Sequence, residues 1–354
     1  MTDLPDTMRA WRLHAWGEPP ELVEVRVPRP TGEAVLLRVE AAGLCHSDLH
    51  LMDAEPGAMP FPLPFTLGHE VVGTVVASGE EAGDPSGRYA VHGIWACGEC
   101  RQCRRGRDNY CSALTGAIGG GIGIDGGLAD FILVPSARHL VPADDRDPSA
   151  LAPLTDAALT AFHALQPHRK NLAHAVVVVI GVGGLGHLAL QLLKESGTDA
   201  VVAVDPRAGA RELASRLGAD CTVSAVEQVA PALAALGDDA THAQGNADLV
   251  LDFVGAPETL DAVPGLLAPG GQVVLVGSAG GSLTVRKGGE LPRGWGLSAP
   301  FWGTHDDLVQ VVALAGDGRL HAETETFPLA DALVAYDRLR SGHVQGRAVV
   351  VPTL

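Results

Sequence analysis

The residues between Ala175 and Lys194 constrain the fold of this chain more than any other stretch. The segment opens with an apolar, β-branched run that ends in Gly-Val-Gly-Gly-Leu-Gly at 181–186. It continues into leucines and alanines at helical spacing, which predicts a buried strand, a tight turn and a helix. A second apolar run, at 200–204, ends in Asp205. This order predicts the beginning of a βαβ unit and therefore a parallel sheet.

The glycine-rich turn has the spacing of a dinucleotide-binding fingerprint. Gly181 allows the turn, Gly183 lets backbone amides approach a pyrophosphate, and Gly186 lets the helix pack closely on the strand. Gly184 and Leu185 complete the turn and are predicted to contact the same cofactor. The alternative is a glycine-rich surface loop, because the chain holds 44 glycines. The placement between a strand and a helix favours the dinucleotide site.

Asp205 bears on which dinucleotide binds. A carboxylate about 20 residues after the turn can accept hydrogen bonds from the adenosine ribose, and its charge would repel a 2′-phosphate. The sequence therefore favours NAD over NADP. Arg207, two residues later, leaves NADP open.

Length and composition point to a two-domain globular enzyme. At 354 residues the chain exceeds what one hydrophobic core usually serves. Its 25 Lys and Arg against 42 Asp and Glu give a net charge of −17, which argues against a nucleic-acid partner. The first residues lack the pattern of a secretory signal and no stretch has the apolar length that crosses a bilayer, so we expect a cytoplasmic protein without a membrane partner.

The hydrophobic pattern changes along the chain and predicts an α/β protein. Residues 1–157 read mainly as short alternating strands, with a bent strand or strand pair at 68–79 and a helix over 147–166. Residues 158–297 alternate strands and helices and predict a doubly wound parallel sheet of about six strands. Residues 298–354 are expected to rejoin the first domain, with helices predicted at 303–316 and 330–341.

Four cysteines lie in a compact C-x2-C-x2-C-x7-C pattern, at Cys97, Cys100, Cys103 and Cys111. Such a loop can wrap four thiolates around one ion, and a site closed by four sulfurs would hold a structural zinc. Several neighbouring arginines fit the negative charge of that complex. An iron–sulfur cluster, two disulfides and a nucleic-acid zinc ribbon are the alternatives; the spacing, a reducing compartment and the acidic composition disfavour them.

A second group of polar residues is dispersed. Cys45 lies in Gly-Leu-Cys-His-Ser-Asp-Leu-His at 43–50, and His69 and Glu70 lie in Gly-His-Glu at 68–70. A lone Cys or His is more often a core residue than a ligand. Here each follows a predicted strand among other polar residues, beside a predicted redox cofactor site.

These motifs together resemble the zinc-dependent medium-chain alcohol dehydrogenases. The segments at 43–50 and 68–73, the four-cysteine loop and the glycine turn occur in that family's order, and the resemblance covers essentially the whole chain. Pro-Leu-Thr-Asp-Ala at 153–157 and Phe-Trp-Gly-Thr at 301–304 are most similar to the bacterial NAD-dependent secondary-alcohol dehydrogenases. The resemblance implies a GroES-like catalytic domain at 1–157 with 298–354, a Rossmann domain at 158–297, and a zinc site in the cleft between them.

The resemblance also implies the ligands of a catalytic zinc, a second ion beside the structural one. They are Cys45, His69 and Asp156, the last at a position where many relatives have a second cysteine. Asp156 could instead cap a helix. Glu70 is either a fourth, exchangeable ligand or a neighbour of the ligands, and Asp48 is either such a neighbour or a turn former.

Further roles follow from the same resemblance. Ser47 and His50 form a proton relay out of the site, although His50 could be a surface histidine. His46 and Arg347 contact the cofactor phosphates; a solvated turn arginine is the alternative for Arg347.

The implied activity is hydride transfer between NAD(H) and an alcohol or ketone. This reaction belongs to enzyme class EC 1.1.1.-, and we expect EC 1.1.1.1. Phe61, Trp95 and Trp302 are expected to line an apolar pocket, which suits secondary alcohols and ketones, although each could be a core residue. A polyol or primary-alcohol/aldehyde dehydrogenase is the alternative. Relatives of this kind imply a homodimer or homotetramer that acts on a small molecule.

Overall fold

A computed structural model of the chain describes residues 4–143, 145–236, 246–286 and 288–353. The chain forms two compact units. Residues 1–159 together with 304–354 make the first unit, and residues 160–303 make the second.

The N-terminal part of the first unit is rich in strands joined by glycine and proline turns, as its alternating pattern predicts. Its strands are β1 (Thr7–Leu13), β2 (Glu21–Arg26), β3 (Val35–Gly43), β4 (Phe65–Thr66), β5 (Glu70–Ser78), β6 (Arg88–Val91), β7 (Gly119–Gly120), β8 (Gly123–Ile124), β9 (Phe131–Val134) and β10 (Leu140–Pro142). The segment at 68–79 contains one strand, β5. Opposite Gly73 the register of the partner strand β3 shifts between Val39 and Ala41.

Helices are few in this part of the chain. They are α1 (His46–Met52), α2 (Pro148–Leu151) and α3 (Ala157–Leu165), with short 3-10 turns at Cys103–Arg105, Asp108–Tyr110, Ala137–His139, Ala152–Thr155 and Gln166–Asn171. The residues at 147–166, which the sequence predicts to be helical, form helical turns but not one continuous helix. A 3-10 turn follows α2, and Asp156 then leaves the helical conformation, with φ −135° and ψ −62°, before α3 begins.

The second unit contains the alternating elements that the sequence predicts. Its strands and helices are β11 (Val176–Ile180), α4 (Gly186–Lys194), β12 (Ala200–Val204), α5 (Ala208–Leu217), β13 (Cys221–Val223), α6 (Val229–Leu236), β14 (Ala247–Asp252), α7 (Pro257–Leu266), β15 (Leu267–Leu275) and β16 (Gly296–Ser298), with a 3-10 turn at Val226–Gln228. The strands form a parallel six-stranded sheet in the order β13-β12-β11-β14-β15-β16. This is the doubly wound order of a Rossmann domain, so the α/β prediction is confirmed.

Small β-branched residues fill the core of the second unit. Every residue of β11 and β12 is buried, as expected for central strands covered by helices on both faces. Val178 on β11 pairs in register with Val202 on β12 and Val250 on β14, and all three are fully buried. The strong apolar run at 175–180 therefore lies at the centre of the sheet.

The C-terminal residues return to the first unit. They form α8 (His305–Gly316), β17 (Thr324–Pro328), α9 (Ala332–Arg340) and β18 (Arg347–Val351), with a 3-10 turn at Leu329–Asp331. Strand β18 pairs with β3, so the chain end completes a sheet in the order β10-β6-β5-β3-β18-β17, with β9 also on β3. Strands β2, β1 and β4 form a smaller sheet. Together these strands are the GroES-like domain.

Across the described ranges, every helix is either too short or too polar to traverse a lipid bilayer.

Candidate metal centres and dinucleotide turn

Three strand ends of the first unit bring polar residues to one place. Gly43, the last residue of β3, pairs with Glu70, the first of β5, and with Val349 on β18. Cys45 follows β3 by two residues and caps α1, and His69 immediately precedes β5. Arg347 begins β18. The sheet register therefore places residues that are far apart in sequence around one buried point.

Asp156 completes this group from the break before α3. Ligand atoms of Cys45, His69, Glu70 and Asp156 all lie within 4.8 Å of one another. Cys45 Sγ and His69 Nε2 are each 3.7 Å from Asp156 Oδ2. Ligands held at normal zinc distances in a tetrahedron are about 3.3–3.6 Å apart, so the set fits one zinc ion.

The members of this group are buried, so burial and the charges of their neighbours shift their pKa values. Burial raises the pKa of Glu70 well above its ordinary value, and the charge of Arg347, which pairs with both Glu70 oxygens, offsets only part of that rise. Burial would also raise the pKa of Asp156, but His69 and Arg347 hold it below the usual range. Arg347 Nη2 donates to Asp156 Oδ2 at 3.4 Å. One cation thus contacts two carboxylates of the group.

These contacts of Arg347 were not expected from the sequence. The side chain is 2% exposed and bonds to Glu70 and Asp156 within the first unit. Its predicted contact with a cofactor phosphate stays a prediction. Gly43 was also missed: a Cβ there would collide with the Glu70 carboxylate, so only glycine leaves that carboxylate room. The sequence signal for it was a glycine two residues before Cys45.

Asp48 supports two of the predicted ligands from the first turn of α1. Its Oδ2 accepts a hydrogen bond from the Cys45 backbone N–H at 2.9 Å, and its Oδ1 lies 3.2 Å from His69 Nδ1. The charge of Asp48 raises the His69 pKa against the opposing effect of burial. An acid behind a histidine in this way orients the ring, so that its other nitrogen faces an ion.

The predicted proton relay lies on the same helix. Ser47 Oγ is 3.6 Å from Cys45 Sγ. His46, Ser47 and His50 are exposed, whereas the ligands are buried. The relay and the phosphate contact of His46 stay predictions. The buried Cys45 and the exposed His50 are separated by about one and a half turns of helix.

The four-cysteine loop forms a second metal-ligand group. Its sulfurs are free thiols rather than disulfides, and they lie 3.4 to 3.9 Å apart where contacts occur. Four thiolates at about 2.3 Å from one zinc would lie about 3.8 Å apart. Backbone N–H groups of Cys97, Glu99 and Cys100 donate to sulfur in the loop. Hydrogen bonds from Cys103 and Ser112 lower the pKa of Cys100 to about 5, which favours the thiolate.

The glycine turn of the second unit has the predicted geometry. Gly181 has φ +88°, and its backbone N–H donates to Val204 O at 2.8 Å. A Cβ on Gly186 would collide with Gly181 O, so the helix could not begin so close to the strand with another residue there. Helix α4 starts at Gly186 after Leu185, and Gly183 and Gly184 lie in the turn before it. Phosphate binding at this helix N-terminus stays a prediction.

Asp205 follows β12 beside this turn and is almost fully buried. Its Oδ2 accepts from the Val182 N–H at 2.9 Å, and its carboxylate pairs with Arg207 through Nε and Nη2 at 3.0 and 2.9 Å. Burial would raise its pKa, but the hydrogen bonds from Arg207 keep it below the ordinary value. The ion pair with Arg207 was not predicted; an arginine two residues after the acid was its signal.

The three predicted pocket aromatics have different surroundings. Phe61 is buried among Trp16 and Phe65, with ring centroids 5.9 and 5.6 Å away. Trp95 packs against the same core cluster of the first unit. Trp302, in the second unit, is 7% exposed and has φ +52°, with Phe301 packed edge-on at 6.1 Å. Their substrate role stays a prediction.

Comparison with known proteins agrees with this geometry. The alcohol dehydrogenase GroES-like domain family matches residues 31–145, and the zinc-binding dehydrogenase family matches residues 184–315. D-arabinose 1-dehydrogenase (NADP(+)) from Saccharolobus solfataricus is 33% identical over 97% of both chains. An NAD-dependent alcohol dehydrogenase from Sulfurisphaera tokodaii is 32% identical over 98% of this chain and all of that one.

Solved structures resemble the fold over nearly its full length. The alcohol dehydrogenase of Aeropyrum pernix has a TM-score of 0.86 at 32% identity, covering 97% of this chain and 100% of its own. The acetophenone reductase of Geotrichum candidum, solved in complex with NAD, has a TM-score of 0.85 at 31% identity, covering 99% and 98%.

Proposed function

Because the chain belongs to the zinc-dependent medium-chain alcohol dehydrogenase family, we propose that it interconverts secondary alcohols and ketones by hydride transfer with a nicotinamide dinucleotide, NAD(H). The observation that carries the proposal is the buried group of Cys45, His69 and Asp156. It unites a thiolate, an imidazole and a carboxylate at zinc-like spacing. Three protein ligands are the mark of a catalytic zinc, which keeps one position for the substrate.

Zinc in this site would supply a Lewis acid that lowers the pKa of an alcohol, and the dinucleotide would supply the hydride acceptor. The residues of the chain would hold the ion, orient its ligands and carry the proton. Asp48 would orient the ring of His69 from 3.2 Å, and Arg347 pairs with Glu70, the proposed exchangeable ligand. In the proposed relay Ser47, whose Oγ is 3.6 Å from Cys45 Sγ, takes the alcohol proton and the exposed His50 releases it.

The resident groups proposed for each chain are two zinc ions and one dinucleotide. The second zinc belongs to Cys97, Cys100, Cys103 and Cys111, where its role is structural because the thiolates leave no open position. The dinucleotide is proposed to bind at the turn at 181–186, beside Asp205. A homodimer or homotetramer stays a prediction from the family resemblance, and the cytoplasmic location stays a prediction from the sequence.

Two relatives support different substrate classes. The acetophenone reductase is named for an aryl ketone, and the aromatic residues that we predict for substrate binding in the first unit, Phe61 and Trp95, would suit such a substrate. The first relative is named for D-arabinose, which favours a sugar or polyol as the second candidate. Aromatic side chains without a set of hydrogen-bonding partners discriminate poorly among hydroxyl-rich substrates, so we place ketones first.

A steady-state panel with the zinc-loaded protein tests the proposal. NAD⁺ reduction at 340 nm is followed with 1-phenylethanol, 2-butanol, 1-butanol, sorbitol and D-arabinose. We expect kcat/KM for the two secondary alcohols to exceed that for the others by about tenfold or more. The reverse order, with D-arabinose first, would establish the second candidate. No turnover with any alcohol or ketone would contradict the function.

A further inference from the structure

Asp205 has little capacity left to bind a ribose. Its Oδ1 accepts from the backbone N–H and Nε of Arg207, both at 3.0 Å, and its Oδ2 accepts from the Val182 N–H and Arg207 Nη2, both at 2.9 Å. A carboxylate offers about four lone-pair positions. Four donors therefore use the acceptor sites with which Asp205 was expected to hold the two ribose hydroxyls.

The charge exposed at this position is positive. The Asp205 side chain is 3% exposed, whereas the Arg207 side chain is 40% exposed. The guanidinium lies against the glycine turn: its Nη2 is 3.5 Å from Val182 O and 3.8 Å from where a Cβ of Gly183 would lie. A second arginine, Arg211, donates through Nη1 to the carbonyl oxygens of Asp205 and Pro206 at 2.8 and 2.7 Å.

The location is the one at which an adenosine ribose would lie. Asp205 directly follows β12, at the carboxyl end of the parallel sheet and beside the glycine turn, where such folds bind a dinucleotide. NAD would need the Asp205–Arg207 pair to open before its hydroxyls found acceptors. A 2′-phosphate would instead meet a guanidinium already held in place, and planar guanidinium groups bind phosphate with charge-assisted hydrogen bonds.

We infer that Arg207 sets the cofactor specificity of this chain, so that NADP(H) binds alongside NAD(H) despite the acidic residue at position 205. The inference rests on the proposed function, because it names the nucleotide of that same site. It also removes the preference for NAD that Asp205 alone suggests, because the acid serves as the counter-ion of Arg207 and the arginine is the more exposed of the two.

Binding of the reduced dinucleotides without substrate tests this inference. NADH and NADPH are titrated into the zinc-loaded protein by nicotinamide fluorescence and, independently, by calorimetry. We expect the two Kd values of the parent to lie within about tenfold of each other. Arg207→Ala should weaken NADPH by about ten- to a hundredfold, the effect of one lost charge-assisted contact, and leave NADH unchanged or tighter.

Two further variants separate specificity from damage. Arg207→Gln keeps a donor for Asp205 but removes the charge, so it should lose NADPH as Arg207→Ala does while keeping the parent's melting temperature. Arg216→Ala removes an exposed arginine from the last turn of α5, the helix whose N-terminus Arg207 caps. It should leave both Kd values within about twofold of the parent.

The outcomes distinguish the inference from the proposed function. The inference is overturned if the parent binds NADPH more than about tenfold more weakly than NADH. It is also overturned if both Arg207 variants leave the ratio of the two Kd values unchanged. Either result leaves the proposed function standing. Binding of neither dinucleotide overturns both.

Discussion

Among the proposed zinc ligands, Asp156 is the one whose side chain is most open to substitution. Its carboxylate lies 3.7 Å from both Cys45 Sγ and His69 Nε2, at a position where the family resemblance implies that many relatives have cysteine. Thiolate and carboxylate carry the same charge, so either leaves a zinc site with one thiolate and one imidazole formally neutral. The residue type can therefore change while the function of the position persists.

This equivalence gives the first prediction. Asp156→Cys should retain the catalytic zinc and measurable turnover, because it keeps an anionic ligand. Asp156→Asn should lower zinc affinity by more than about a hundredfold, because the amide is neutral. Zinc competition with a chromophoric chelator measures both. An Asn variant with the parent's affinity would show that Asp156 is not a ligand.

The buried side chain of His139 is expected to make the free energy of unfolding depend on pH. It is buried near Arg138, His92 and His305, and burial with these neighbouring positive charges lowers its pKa to about 3. Its Nε2 meets no hydrogen-bond partner within the described part of the chain. Asp108, an acid near this cluster, lies 3.9 Å from His92 rather than against His139. The native ring is therefore held neutral.

The sign follows from the unfolded chain, in which histidine titrates near 6.5. Between about pH 6.5 and 3 the unfolded state binds a proton that the native state does not, so the free energy of unfolding falls as pH falls. The slope is up to about 1.4 kcal/mol per pH unit. His139→Gln should flatten this part of the profile in urea unfolding between pH 7 and 4, while His14→Gln, at an exposed position, should follow the parent. Equal slopes for the parent and His139→Gln would refute the assignment.

The junction of β3, β5 and β18 brings the proposed zinc ligands Cys45, His69 and Glu70 together. Gly43 pairs with Glu70 on one side and with Val349 on the other, two residues from Cys45. Because a Cβ there would collide with the Glu70 carboxylate, the strands could not keep this register around a larger residue. The packing of the sheet and the placement of the ligands are thus one property.

Gly43→Ala should therefore affect stability and metal binding together. We expect a loss of about 1–3 kcal/mol in the free energy of unfolding, as for other overpacked cores, and weaker zinc retention. Gly265→Ala is the matched control, because it lies in α7 with no atom within 4 Å of its would-be Cβ and should be neutral or slightly stabilising. Chemical unfolding and zinc analysis report both effects. A Gly43→Ala protein with the parent's stability and zinc content would mean that Glu70 can move away at no cost.

Much of this architecture could be predicted from sequence because local patterns determine it. The run at 175–180 and the glycines after it predict the central strand and the turn, and the cysteine spacing predicts the loop that brings four thiols together. The break at Asp156 could not be read, because the apolar residues around it, Leu154 and Leu159, are buried and fit a continuous helix equally well. The Arg347–Glu70 and Arg207–Asp205 pairs were missed because side-chain partners depend on register and rotamer, which residue patterns do not encode.

The two units contribute different parts of the proposed reaction. The first contains both metal-ligand groups within its own strands and loops, and the second contains the dinucleotide turn. The chain reaches the second unit at residue 160 and leaves it at 303, so substitutions at the ligands act within one folded unit. Loss of metal at Cys45 should consequently be separable from loss of folding.

Zinc content and turnover of the same preparations test the central claim most directly. The parent should contain about two zinc ions per chain. Cys45→Ser should stay folded with about one zinc and no measurable turnover, whereas Cys97→Ser should lose the other zinc and melt at a lower temperature, because structural zinc contributes directly to folding. A Cys45→Ser protein that keeps full turnover, or a parent that keeps it after complete removal of zinc, would contradict the account.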